Sequence, residues 1–128
     1  MPEPFEYALL RVVPRPERGE FVNAGVVLYC PALRFLDAYV HLDSERLRAL
    51  DPKLDSEAVL AHLEAVRTVC AGGQGAGSIG LLEPGERFGW LVAPRSTVVQ
   101  PSPVHTGLAD DPETALEHLV RVMVLPPD

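Results

Sequence analysis

Lysine is almost absent from this 128-residue chain: Lys53 is the only one, and the other ten basic residues are arginines. Acidic residues number 18 against 11 basic ones, for a formal net charge of −7. Such a chain has no broad positive field, so binding to nucleic acid is not expected, although single arginines still fork onto carboxylates or phosphates. Cysteine is scarce as well. Cys30 and Cys70 cannot build a disulfide framework and have no metal-ligand spacing, so both read as reduced, structural thiols of a cytoplasmic protein. No apolar run approaches the ~20 residues that span a bilayer. The start, MPEPFEYALLRVV, lacks the basic region and cleavage site of a signal peptide. Neither H-E-x-x-H, a P-loop nor a G-x-S-x-G elbow occurs. The histidines, His41, His62, His105 and His118, never pair at helical spacing. Neither a metal nor a cofactor is expected on these grounds.

What is present is enough apolar residue for one core. Hydrophobic content is 47%, and the length suits a single domain over 1–128. Residues 5–13, 21–30 and 33–41 read as three strands of an antiparallel meander, separated by the charged turn 14–20 and by Pro31-Ala32. Asp43 or Ser44 caps a short helix over 44–50, and Asp55 caps a longer one over 56–70 with Val59, Leu63, Val66 and Cys70 on one face. Residues 72–80 (GGQGAGSIG) read as a flexible glycine loop. The string at 75–80 fits G-x-G-x-x-G, but it follows a helix rather than a strand, so it is no dinucleotide fingerprint. Residues 84–93 suit a short helix or a strand, the helix being favoured by Pro84. A short strand is expected over 96–100. The last helix, 112–123, has Asp111 as cap, Pro112 at its first position and an apolar stripe of Leu116, Leu119, Val120 and Met123, with Glu117 and Arg121 spaced to pair. The fold expected is α+β, with a mostly antiparallel sheet of three to five strands covered by the helices at 56–70 and 112–123.

One segment stands apart. Residues 94–107 place Arg95, Ser96, Gln100, Ser102 and His105 among Pro94, Pro101 and Pro103, which bar a regular helix. Polar groups on such loops are binding or catalytic candidates. Arg95 beside hydroxyls suggests an anion cradle, while the plainer reading pairs it with Glu20 or sets it at a helix C-terminus. Ser102 with His105 invites a nucleophile–base reading, against the plainer one that the hydroxyls satisfy loop backbone. A second group is Arg11, Glu20 and Asn23 at the start of the second strand, where Gly25 suggests a bulge. Trp90 reads as core more readily than as a stacking platform.

The stretches YALLRVVPRPERGEFVNAGVVL and RFGWLVAPRSTVVQPSPVHTG, the latter followed by Asp-Pro and a helix, resemble the bacterial family called domain of unknown function 3037 (DUF3037). The resemblance covers about residues 5–124. It implies a small stand-alone protein, similar to ones encoded beside HipA-type kinases, and so an accessory role with a kinase-like partner. It assigns no catalytic role to any residue.

The reading favoured is a non-enzymatic binding or accessory module. Its surface would join the polar loop 94–107 to the strand start at 18–23, using Arg11, Glu20, Asn23, Trp90, Arg95, Ser96, Gln100, Ser102 and His105. The alternative is a small enzyme or binding domain for a phosphorylated small molecule, with Arg95 and Arg11 as anion holders and His105 as acid–base. Self-association is left open.

Overall fold

The computed structural model describes residues 1–127. The strands are β1 (Glu3–Val12), β2 (Val22–Cys30), β3 (Phe35–Val40), β4 (Val99–Pro101) and β5 (His105–Ala109). The α-helices are α1 (Ser44–Leu50), α2 (Ser56–Ala71), α3 (Pro84–Leu91) and α4 (Pro112–Met123). All five strands form one antiparallel sheet in the order β3-β2-β1, with β4 and β5 sharing the free side of β1. This is the α+β fold expected, at the upper end of the expected strand count.

Local chemistry explains most boundaries. The turn between β1 and β2 contains a 3-10 turn at Pro16–Arg18 and closes on Gly19 at φ 70°. Between β2 and β3, Pro31–Leu33 makes another 3-10 turn that ends on Arg34 at φ 51°, a left-handed conformation. The third strand therefore starts at Phe35 rather than at Leu33. Asp43, Asp55 and Asp111 cap α1, α2 and α4 by accepting from backbone N–H groups. The segment at 84–93 is helical over Pro84–Leu91. The glycine segment is less loose than expected. Gln74–Leu81 forms 3-10 turns, Gly73 N–H donates to the Gly80 carbonyl at 2.8 Å, and Ala76 and Ile79 pack against the core beside α2.

The sheet divides two apolar clusters. On one side Ala8, Leu10 and Val12 of β1 pack with Val27 and Ala38 against Leu63 and Val66 of α2 and Phe88 and Leu91 of α3. On the other, Phe5, Val26, Leu28 and Cys30 pack against Leu116, Val120 and Val124 of the α4 segment. The alternation of side chains along a strand produces this split.

Both neighbours of β1 depart from regular register near its C-terminal half. Arg11 opposes Asn23 while Leu10 opposes Gly25, so Ala24 is an extra residue in β2, the bulge that Gly25 suggested. A Cβ on Gly25 would lie 2.7 Å from the Tyr39 carbonyl, so the close approach of β3 requires glycine there. On the other side, Leu10 opposes Pro101 whereas Tyr7 opposes His105, so the register slips by one residue between β4 and β5. Ser102 fills this break.

Candidate functional site

Ser102 is 3% exposed. Its N–H donates to the Leu9 carbonyl at 2.8 Å, and the Leu9 N–H donates to its Oγ at 2.8 Å. Its own hydroxyl donates to the Pro103 carbonyl at 2.9 Å. Where the register slips, the Ser102 hydroxyl oxygen takes the place of a backbone carbonyl as acceptor for the Leu9 N–H. The hydroxyl is thus committed to backbone. The polar loop expected at 94–107 is in large part β4 and β5, which that serine joins to the edge of β1.

Trp90, Arg95 and Ser96 lie on the α2 side of the sheet. The Arg95 guanidinium stacks over the Trp90 ring at 4.8 Å. Its Nε donates to the Ala93 carbonyl at 3.3 Å, and a terminal nitrogen donates to the Trp90 carbonyl. Arg95 therefore caps the C-terminal end of α3, where the helix dipole favours a cation. It does not pair with Glu20, which instead accepts from Arg18 and holds that guanidinium above its usual pKa. Trp90 is 42% exposed, which corrects the expectation of a core residue. Its indole serves as the platform for Arg95. Ser96 is exposed at the rim of an open cleft of about 460 Å³ beside α2, where His62 is half-buried.

Arg11, Asn23 and Gln100 come together on the opposite side. In register Arg11 opposes Asn23 on β2 and Gln100 on β4, so the three form one row across three strands and share a face. Phe21 stands beside them, with the Arg11 guanidinium 4.3 Å from its ring centre. Asn23 Nδ2 donates to the Met123 carbonyl at the end of α4, 3.1 Å away. Gln100 Nε2 donates to the Thr97 carbonyl at 2.9 Å. On the same face His105 opposes Tyr7, and their rings stack at 5.5 Å. Arg95 and His105 are thus separated by the sheet, and no single small ligand touches both. His105 is exposed and has no hydrogen-bonding carboxylate or hydroxyl among the described residues.

The row holds two uncompensated polar atoms. Arg11 Nε and Asn23 Oδ1 are buried without a hydrogen-bond partner among the described residues. Arg11, Arg87 and Arg95 are the half-buried arginines. Arg87 donates to the carbonyls of Leu82, Val69 and Cys70, and Arg95 to those of Trp90 and Ala93. Arg11 alone of these three has no acceptor and no carboxylate partner among the described residues. Buried polar atoms are normally paired, so this exception marks the place.

The surroundings leave it open. α4 packs chiefly against β2 and β3, and Tyr7 and Leu9 of β1 reach only the margin of its apolar cluster. Tyr7, Leu9 and Arg11 are consequently only half-buried, while an open cleft of about 540 Å³ lies between the β5 end of the sheet and α4, lined by Phe5, Ala109, Ala115 and Leu119 among others. Sequence reading missed Tyr7, Leu9 and Phe21 as part of this surface. The signal was the alternation of Phe5, Tyr7, Leu9 and Arg11 along β1, which places an arginine at the end of an apolar row. The expected pairing of Glu117 with Arg121 is replaced by a contact of Arg121 with His118 Nδ1 at 3.2 Å.

The thiols offer no chemistry of their own. Both are buried, and burial pushes the Cys70 thiol up to about 12, with Asp37 adding to the effect and Arg87 and Arg67 opposing it. No helix is long and apolar enough to cross a membrane among the described residues.

The sequence model of a family described as "Protein of unknown function (DUF3037)" matches residues 7–124. The chain belongs to that family. The match spans every element from the middle of β1 to the end of α4, so the DUF3037 region contains both the Arg11 row and the Arg95 cap. No curated protein and no solved structure matches the chain.

Proposed function

We propose that this protein is a non-enzymatic binding module for another protein. Its recognition surface is the half of the sheet that α4 leaves uncovered, with Arg11, Asn23, Gln100 and His105 upon it. The observation that carries this reading is Arg11, a half-buried arginine whose Nε has no acceptor among the described residues, on a strand face that α4 leaves half-exposed. A guanidinium not held by an internal carboxylate is free to fork onto a carboxylate of a partner. A kinase-like partner fits this reading and rests on the family resemblance alone. The phosphorylated small-molecule reading loses its expected pair of residues, because Arg95 is engaged as a helix cap across the sheet from His105.

The test is co-purification of tagged wild type, Arg11→Ala and Arg95→Ala chains from the cells that make the protein, with all three shown to be folded. The partner is retained by wild type and Arg95→Ala and lost by Arg11→Ala. Equal recovery with all three variants would refute the surface proposed.

A further inference from the structure

The sheet has two outer edges, and they are built differently. One is β3. Just past its end, the His41 N–H donates to the Ala24 carbonyl at 2.8 Å. By alternation Tyr39 and Asp37 turn their backbone groups toward β2, and Ala38 turns its own outward. The Asp37 carboxylate accepts that outward N–H at 2.8 Å. A charge on the rim and an occupied N–H guard this edge against an added strand.

The other edge is β5, and it has no such guard. Leu108 opposes Pro4, which has no N–H, so these two do not exchange hydrogen bonds. The ladder to β1 is carried by Gly107 with Phe5 and by His105 with Tyr7, and Thr106 and Leu108 turn their N–H and C=O groups outward. None of these outward groups has another backbone partner among the described residues. β5 packs chiefly against β1, so its far side is open. Leu108 is 69% exposed and Val104 40%. No Asp, Glu, Lys or Arg lies between Arg95 and Asp110. In a chain of net charge −7, this uncharged strip is a place where two copies meet without opposed carboxylates.

We infer that β5 pairs antiparallel with β5 of a second copy, about a two-fold axis at Thr106. In that register Thr106 exchanges both outward bonds with Thr106 of the second copy, and threonines are a favourable cross-strand pair. Leu108 stands opposite Val104, so the exposed apolar side chains cover each other. His105 stands opposite Gly107, where the strands approach most closely and the second copy has no side chain to obstruct the imidazole. Glycine is required there already, because a Cβ on Gly107 would lie 2.5 Å from the Phe5 ring. Asp110 opposes Ser102, so no carboxylate meets another. A two-fold interface needs a patch that complements itself, and this strand does so at each position. An unrelated strand would satisfy the backbone groups alone. The axis at Gly107 would set glycine against glycine and Leu108 against Thr106, with less apolar contact. The inference goes beyond the binding-module reading and does not depend on it. Pairing uses the edge of the sheet rather than the Arg11 face, so the sheet runs through both copies and two such faces point the same way.

The experiment is sedimentation equilibrium of the purified full chain. Wild type is expected to be a dimer that dissociates on dilution. Thr106→Pro removes an outward N–H and leaves the ladder to β1 intact. It should raise the dissociation constant about tenfold or more, with the circular dichroism spectrum unchanged. Thr106→Lys and Thr106→Glu should each be monomeric alone and dimerise when mixed, because the two side chains meet across the axis. Thr106 is exposed, so these two variants keep the fold and decide the matter even where the proline variant does not fold. A wild type still monomeric at about 1 mM would overturn the inference. So would a dimer that persists in both charged variants, since the contact would then lie elsewhere.

Discussion

The two faces of β1 do different jobs within one strand. Facing α2, Ala8, Leu10 and Val12 are 0%, 2% and 0% exposed. Facing α4, Tyr7, Leu9 and Arg11 alternate with them and remain half-buried. The backbone is shared, so the difference comes from the layers above it. Helices α2 and α3 bury the β1 side chains on one face, while α4 packs chiefly against β2 and β3 and leaves those on the other half-exposed. Stability therefore concentrates on the first face. The second carries a polar row in which Asn23 and Gln100 donate to backbone carbonyls and Arg11 Nε has no acceptor among the described residues.

The comparison is broken most severely on the closed face. Leu10→Ala removes a fully buried side chain and should cost about 3 kcal/mol by urea unfolding, within the usual range for such a truncation. Leu9→Ala, one residue along but half-buried, should cost less than about 1.5 kcal/mol. Equal costs would mean that the second face is closed as well.

Ser102→Ala comes next. It leaves the Leu9 N–H without its side-chain partner in the break between β4 and β5, and should cost about 1–3 kcal/mol. Hydrogen exchange at Leu9 should accelerate in the same variant.

A smaller, pH-dependent effect sharpens the view of the closed core. The folded pKa of Cys70 is raised to about 12, by burial first. Above the ordinary thiol pKa the unfolded chain loses this proton while the folded chain keeps it. The contribution of Cys70 is therefore fully present below about pH 8.5 and declines as pH rises through that value toward the folded one. Replacing Cys70 by Ala should flatten this part of the stability–pH curve, and iodoacetamide should leave the native thiol unmodified at pH 8.

The two arginines give the smallest changes in stability and the clearest contrast in role. Arg95→Ala removes the cap of α3 and should cost about 1 kcal/mol. Arg11→Ala removes an unpaired group and should change stability by less than about 0.5 kcal/mol. A large loss from Arg11→Ala in thermal unfolding would make that arginine structural and remove it from the recognition surface.

Much of this architecture is legible in the residues. Alternating apolar positions define β1 to β3, and Asp43, Asp55 and Asp111 mark helix starts through a local hydrogen bond. β5 is less legible because HTGLA has weak strand preference and follows two prolines. Its conformation comes from pairing with the N-terminal half of β1, about 100 residues away in sequence. The residues of the proposed surface can be named from the sequence, but their arrangement cannot. Arg11, Asn23 and Gln100 come from three strands, and only register aligns them. Arg95 looked like their companion because it is near Gln100 in sequence, yet its local carbonyls capture it.

Hydrogen exchange on the purified chain, free and saturated with its co-purified partner, tests the central claim most directly. The account predicts protection in β5 and along α4, on either side of the uncovered strip, with α2 and α3 unchanged. Protection confined to α2, α3 and the Trp90–Arg95 corner would place recognition on the closed face and contradict it.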